Sequence, residues 1–189
     1  MSDYSATGVA CANIAFIKYW GNRDHALRLP MNGSISMNLE ELFTRVSVTW
    51  HHKKDFPEDS LTINGVQQEG KTLDRVSTFL DNIRLKASIN LMAEVVSETN
   101  IPSGTGIASS AAAFAALSLA GSHSAGLTLD PIQLSCLARR GSGSACRSIP
   151  AGFAEWNVGD SDQTSYAVSI APPDHWDLVD VIAIISRTH

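Results

Sequence analysis

Ile101-Pro102-Ser103-Gly104-Thr105-Gly106-Ile107-Ala108-Ser109-Ser110, running on into Ala111-Ala112-Ala113-Phe114, is the stretch from which the chain's organisation can be read. Upstream, the apolar run from Asn90 to Val96 predicts a strand; downstream, the alanine-rich stretch to Ala120 predicts a helix. The glycines therefore sit in a strand-to-helix turn. Such a turn leaves the first helical N–H groups without partners, and small residues let an anion come close to them, helped by the helix dipole. The lysine of a G-x-x-x-x-G-K-[ST] loop is missing, so Ser109, Ser110 and the backbone amides would be the donors. Two readings stand on these residues alone: a phosphate cradle, or a tight turn ahead of a small-residue helix packed closely on a sheet.

Working outward, Val9 to Ile17 predicts a buried strand, and Val46, Val48 and Trp50 alternate with polar residues as a half-buried strand does. Leu61 to Ile63, then Asn64-Gly65 and Val66, predict a hairpin. Leu73, Val76, Phe79, Leu80 and Ile83 recur at helical spacing, predicting a helix from Thr72 to Lys86. Asp130-Pro131 is a helix start, with that helix ending near Gly141. Gly152 to Trp156, Tyr166 to Ile170 and Val179 to Ile185 read as three further strands, and Asp174-His175-Trp176-Asp177 as a loop with a partly buried indole. The order is rich in strands with three interspersed helices, which predicts an α+β fold, a two-layer α/β domain spanning residues 1–189.

With 189 residues, 44% of them hydrophobic and 17% charged, the chain can bury one core. A net charge of -5 argues against nucleic acid or an acidic membrane as partner, since both need an extended basic face. No segment is long enough to span a bilayer, and the N-terminus lacks a secretory pattern. Cys11, Cys136 and Cys146 are odd in number and lack metal-site spacing, so a reduced cytoplasmic setting is expected and none is an obvious nucleophile. His51 and His52 point to opposite faces of a strand and make poor co-ligands, so no metal site is expected from the protein itself.

Two further clusters bear on chemistry. Arg139-Arg140-Gly141-Ser142-Gly143-Ser144-Ala145-Cys146-Arg147-Ser148 gathers guanidinium and hydroxyl groups around two glycines. A helix C-terminus accounts for Arg139, Arg140 and Gly141 but leaves Ser142, Ser144 and Arg147 unexplained, which favours an anion site. The second cluster, Asn13-Ile14-Ala15-Phe16-Ile17-Lys18-Tyr19-Trp20-Gly21-Asn22-Arg23-Asp24, ends a buried strand in polar and aromatic groups. Lys18 could face a ligand phosphate or carboxylate; the favoured reading on these residues is that it emerges into solvent while Tyr19 and Trp20 plug the core edge. Asp24, beside Arg23, reads as half of a structural ion pair.

Taken together, N-I-A-F-I-K-Y-W-G-N-R-D at Asn13 to Asp24, L-P-M-N-G-S-I-S at Leu29 to Ser36, P-S-G-T-G-I-A-S-S-A-A, R-R-G-S-G-S-A-C-R-S and G-F-A-E-W at Gly152 to Trp156 resemble the mevalonate diphosphate decarboxylases of the GHMP kinase superfamily. The resemblance implies a GHMP-kinase-type N-terminal domain, a mixed sheet with helices on one side, and ATP with Mg²⁺ as cofactors. It implies that Ser103, Gly104, Thr105, Gly106, Ser109 and Ser110 hold the ATP phosphates. Asn13, Tyr19, Ser142, Ser144 and Arg147 would contact a phosphorylated mevalonate, with Lys18 at the transferred phosphate as the catalytic group. The implied reaction converts mevalonate 5-diphosphate to isopentenyl diphosphate with release of ADP, phosphate and CO2. The alternatives are a mevalonate 5-phosphate decarboxylase, a small-molecule kinase that stops at the phosphorylated product, and a non-catalytic phosphate-binding fragment. Asn22 stands where many members carry a second lysine, which bears on the choice between mono- and diphosphate. The family's catalytic aspartate and second domain would lie beyond this chain, which is expected to be inactive alone and to expose a face that favours a homodimer.

Overall fold

The computed structural model describes residues 4–101 and 109–181. Its elements follow in the order β1 (Ser5–Ile17), β2 (Asn22–Asp24), β3 (Leu29–Pro30), β4 (Ser34–His52), β5 (Ser60–Ile63), β6 (Val66–Gln68), α1 (Lys71–Ala87), β7 (Leu91–Thr99), α2 (Ser109–Ser124), α3 (Pro131–Gly141), β8 (Phe153–Trp156) and β9 (Ala167–Ala171). Short 3₁₀ turns cover Gly143–Ser148 and Pro173–His175.

The spine is β4, of which the alternation at Val46 to Trp50 is only the C-terminal part. One edge of it pairs antiparallel with β1 between Ile35 and Thr49. The opposite edge carries β8 along Ser34 to Met37 and β7 along Thr44 to His52. With β5 parallel to β7, the result is a mixed seven-stranded sheet ordered β6-β5-β7-β4-β8-β9, with β1 added on β4; β2 and β3 form a separate ribbon. The fold is the expected α+β class, a sheet and a helix layer sharing one core.

That core explains the strand pattern. Val46, Val48 and Trp50 point into it and are buried, while on the other face Ser5 bonds Thr49 (3.0 Å) and Thr7 bonds Ser47 (2.7 Å). Helix α2 has no polar face, since its residues are small and mostly buried. It lies so close on β1 that a Cβ at Gly8 would come within 2.6 Å of the Ala116 carbonyl oxygen. Phe114 meets Phe79 of α1 edge-on at 5.2 Å. Helix α3 starts as expected, Asp130 and Gln133 capping each other reciprocally. The hairpin turns at Asn64 and Gly65 with φ of 47° and 79°, the left-handed pair that a two-residue turn needs.

Three expectations are corrected: β1 is not buried throughout, since Val9, Phe16 and Ile17 are exposed on its face away from the core and at its end. Val179 to Val181 belong to no strand and the remainder of that segment, 182–189, lies outside the described residues. The Trp176 indole is exposed, because the 3₁₀ turn before it turns away from the core.

Candidate active site

The sheet and the turn after α3 converge on Arg147. The residue is only 3% exposed. Nε donates to Ser36 Oγ (3.0 Å), Nη1 to Ser34 Oγ, and Nη2 to Asn13 Oδ1 (3.2 Å). Asn13 in turn donates from Nδ2 to the Ser144 carbonyl (3.1 Å) and to Ser148 Oγ (2.8 Å), which fixes its amide orientation. Four pieces of chain, β1, β4, the 143–148 turn and β8 through Trp156, thus hold one charged group. Burial lowers the Arg147 pKa, yet guanidinium remains charged at any physiological pH. Every partner is a neutral oxygen, and among the described residues no carboxylate lies within salt-bridge distance. Among the described residues three of its five N–H groups are used, which leaves one on each terminal nitrogen.

Ser34 and Ser36 were not singled out from the sequence as site residues. The available signal was hydroxyls two apart on a strand, hence on one face, at positions that turned out buried. Trp156 was missed as well. It is fully buried, donates to Ser165 Oγ (3.0 Å), lies 5.9 Å below the Arg147 guanidinium and packs against Tyr19 at 4.8 Å. Gly143 makes room for this stack, since a Cβ there would meet Tyr19 at 3.1 Å and Trp156 at 3.2 Å. Burial, partly offset by the nearby Arg28 charge, raises the Tyr19 pKa, so its hydroxyl stays protonated and donates to Asn22 Oδ1.

The rest of the first cluster divides. Lys18 is exposed at the end of β1, with its carbonyl held by Asn32 Nδ2 (2.8 Å) and no ion pair among the described residues. Trp20 is exposed and does not plug the core edge, because Asn32 ties its backbone N–H (3.2 Å) to the surface turn. Asp24 forms no pair with Arg23: its carboxylate caps the Leu27 N–H (2.8 Å), and Arg23 reaches Asp160 (3.3 Å) instead.

The glycine-rich cluster also divides. Arg139 is fully buried and pairs with Asp162, which Arg140 also approaches (3.5 Å), so two of the three guanidiniums serve an internal ion pair. Ser142 is buried and Ser144 half-buried. Ser142 Oγ lies 3.2 Å from Ser110 Oγ, and this contact joins the start of α2 to the Arg147 neighbourhood. Ser103, Gly104, Thr105 and Gly106 lie outside the described residues. Ser109 and Ser110 line a cleft of about 510 Å³ between the sheet and helices α1 and α2, walled by Val46, Ile63, Val95 and Phe114, with Lys71 and Arg75 as its cations.

Burial pushes the Cys146 thiol up to about 12, and raises Cys11 and Cys136 too, so none of the three is an activated nucleophile. His51 pairs with Glu94 (3.0 Å), and among the described residues no cluster of three acidic, histidine or cysteine groups could cage a metal. No helix among them is long and apolar enough to cross a membrane.

Comparison with known proteins gives one answer. Residues 10–167 match the family described as the diphosphomevalonate decarboxylase-like N-terminal domain. A diphosphomevalonate decarboxylase of Candida albicans is 41% identical over 97% of this chain and 54% of its own length. The crystal structure of mevalonate diphosphate decarboxylase from Staphylococcus aureus superposes with a TM-score of 0.86 at 45% identity, over 90% of this chain and 51% of that one. A structure of MDDEF in complex with MVAPP, AMPPCP and magnesium superposes with a TM-score of 0.84 at 44% identity, over 88% and 50%. The chain spans about half the length of the relatives it matches.

Proposed function

This chain belongs to the diphosphomevalonate decarboxylase-like family, and we propose on that basis that it supplies the nucleotide- and substrate-binding part of an ATP-dependent decarboxylase acting on mevalonate 5-diphosphate. The observation that carries the reading is Arg147, a buried cation that among the described residues is bonded only to neutral oxygens, with one N–H left on each terminal nitrogen. A buried charge of this kind is stabilised most by an anion, and a substrate bearing both a carboxylate and a diphosphate offers two. Asn13, Ser34 and Ser36 hold the guanidinium in one orientation before any ligand arrives, so little ordering is left for binding to accomplish.

ATP with Mg²⁺ would supply the phosphoryl group that turns the substrate's tertiary 3-hydroxyl into a leaving group, whose departure lets the carboxylate leave as CO2 while its bonding pair forms the alkene. The cleft beside Ser109 and Ser110 fits the nucleotide: apolar walls suit a base, and hydroxyls with two cations suit phosphates. The metal would be carried by those phosphates, as Mg²⁺ commonly is. Ser110 and Ser142, in contact, mark where phosphate chain and substrate meet. Lys18, exposed at the strand end, is free to swing its ammonium onto the transferred group, and the Tyr19 hydroxyl would donate to the ligand by turning from Asn22 Oδ1. The protein's contribution is placement and charge stabilisation. A cytoplasmic setting belongs to this proposal, as does binding of the phosphorylated acid without nucleic acid or membrane.

The test is calorimetric binding of mevalonate 5-diphosphate to this chain, with and without AMPPCP and Mg²⁺. Arg147→Lys keeps the charge and loses the fork, so it should weaken the acid and leave the nucleotide nearly unchanged. A variant defective only toward nucleotide would overturn the placement.

A further inference from the structure

A second cavity, of about 320 Å³, opens beside the C-terminus of α3 and shares only Arg75 with the nucleotide cleft. Three arginines line it, each from a different part of the chain: Arg28 from the turn before β3, Arg75 from α1 and Arg140 from the end of α3. His25 also lines it, and among the described residues Asp74 is the one carboxylate in the lining. In a chain of net charge -5 this concentration of positive groups is local and needs its own reason.

Capping of α3 accounts for part of it. Arg28 Nε donates to the Arg140 carbonyl (2.9 Å) and Arg75 Nη2 to the Gly141 carbonyl (3.0 Å), as cations at a helix C-terminus do. Among the described residues neither guanidinium makes another hydrogen bond or any ion pair. One bond fixes Arg28, and one bond with the Phe114 ring beneath it (4.6 Å) fixes Arg75, which leaves further N–H groups on each for another partner. Burial, and after it the Arg28 charge, lower the Arg75 pKa, so these like charges stand close to one another. The backbone also adapts to this arrangement: Arg28 has φ of 51°, a left-handed conformation that a side-chain-bearing residue rarely adopts, and capping alone does not require an arginine there.

We propose that this groove is a second oligophosphate site, in which Arg28 and Arg75 bind a diphosphate-sized anion separately from the nucleotide cleft, while Arg140, held toward Asp162 (3.5 Å), adds only its positive field. Planar donors from two directions suit the tetrahedral oxygens of a diphosphate, and a single shared arginine allows occupancy of one site to be felt at the other. The anion could be free inorganic pyrophosphate or the phosphate tail of a nucleotide leaning across Arg75, and the experiment separates them.

Inorganic pyrophosphate is titrated calorimetrically into this chain, alone and after saturation with AMPPCP and Mg²⁺, with sulfate at matched ionic strength as reference. The key variant is Arg28→Gly, which removes the guanidinium at a position whose backbone glycine adopts readily, so folding is preserved; circular dichroism and the thermal midpoint verify this. Pyrophosphate should bind in both conditions, more tightly than sulfate, and Arg28→Gly should weaken it about tenfold or more, the effect of losing a charge-assisted contact. AMPPCP affinity should stay within about twofold by the same scale. Pyrophosphate binding that vanishes on nucleotide saturation, equals that of sulfate, or is unchanged in a folded Arg28→Gly protein overturns the proposal. So does an equal loss of nucleotide affinity, which would assign the groove to the nucleotide's own phosphates.

Discussion

The Arg147 neighbourhood and the cleft beside Ser109 lie in contact through one pair of hydroxyls, yet they are built on opposite plans. Around Arg147, charge is buried and its partners are held by β1, β4 and the turn after α3, with an indole beneath. The cleft is the reverse: a wide space with apolar walls and a few polar groups at its rim. On the proposed function, the first arrangement is committed in advance to one anion geometry, and the second accepts a flat base and a flexible chain by contact area, which tolerates small displacements. The difference is that between recognition by fixed donors, where losing one leaves others unsatisfied, and recognition by surface, where losing one is a local change.

The largest expected effect breaks the first plan at its floor. Trp156→Ala removes a fully buried indole and should cost about 3–5 kcal/mol of folding stability, read from a denaturant midpoint. If the two regions are organised separately, the milder Trp156→Phe, which keeps a ring but loses the bond to Ser165, should weaken substrate binding more than nucleotide binding. Equal loss at both would erase the distinction.

Next comes a test of how dry that floor is. The Cys146 thiol keeps its proton in the folded chain to about 12, whereas its ordinary value is 9.0. Its folded value is raised, so the stability it contributes is complete below pH 9.0 and is lost as pH climbs toward about 12. By pH 11 the loss should be on the order of 3 kcal/mol, and Cys146→Ala, which has no proton to release, should show a shallower alkaline decline in urea midpoints. Identical slopes would mean that water reaches the thiol beneath Arg147.

Arg147→Lys should then cost about 2–3 kcal/mol of substrate binding, since several charge-assisted bonds are replaced by a point charge. The smallest effect belongs to the cleft. Replacing Ser109 and Ser110 together by alanine should weaken nucleotide use about tenfold, near 1.4 kcal/mol, because walls and backbone remain. A larger loss there than at Arg147 would invert the comparison.

Much of this was legible from residue order. The Asn64-Gly65 hairpin, the Asp130 cap and the small-residue helix α2 each carry a local cause, namely a left-handed turn, a side-chain acceptor and the absence of bulk, and each formed where that cause placed it. The motifs holding Asn13, Ser110, Ser142 and Arg147 were visible too, since residue type announces chemistry. Less legible were outcomes that depend on distant partners. Arg139, Arg140 and Arg147 look alike in sequence, and only the arrival of Asp162 at the first two, and of Ser34, Ser36 and Asn13 at the third, decides which are paired with a carboxylate and which is held by neutral oxygens alone among the described residues. Arg28 likewise joins Arg75 and Arg140 only because α1 and α3 pack side by side. Sequence determined the elements and the chemical vocabulary because dihedral preference and donor type are properties of single residues and near neighbours. Tertiary structure decided which charges are neutralised and which are not, because Coulomb energy and desolvation depend on what lies within a few ångströms, wherever in the chain it comes from.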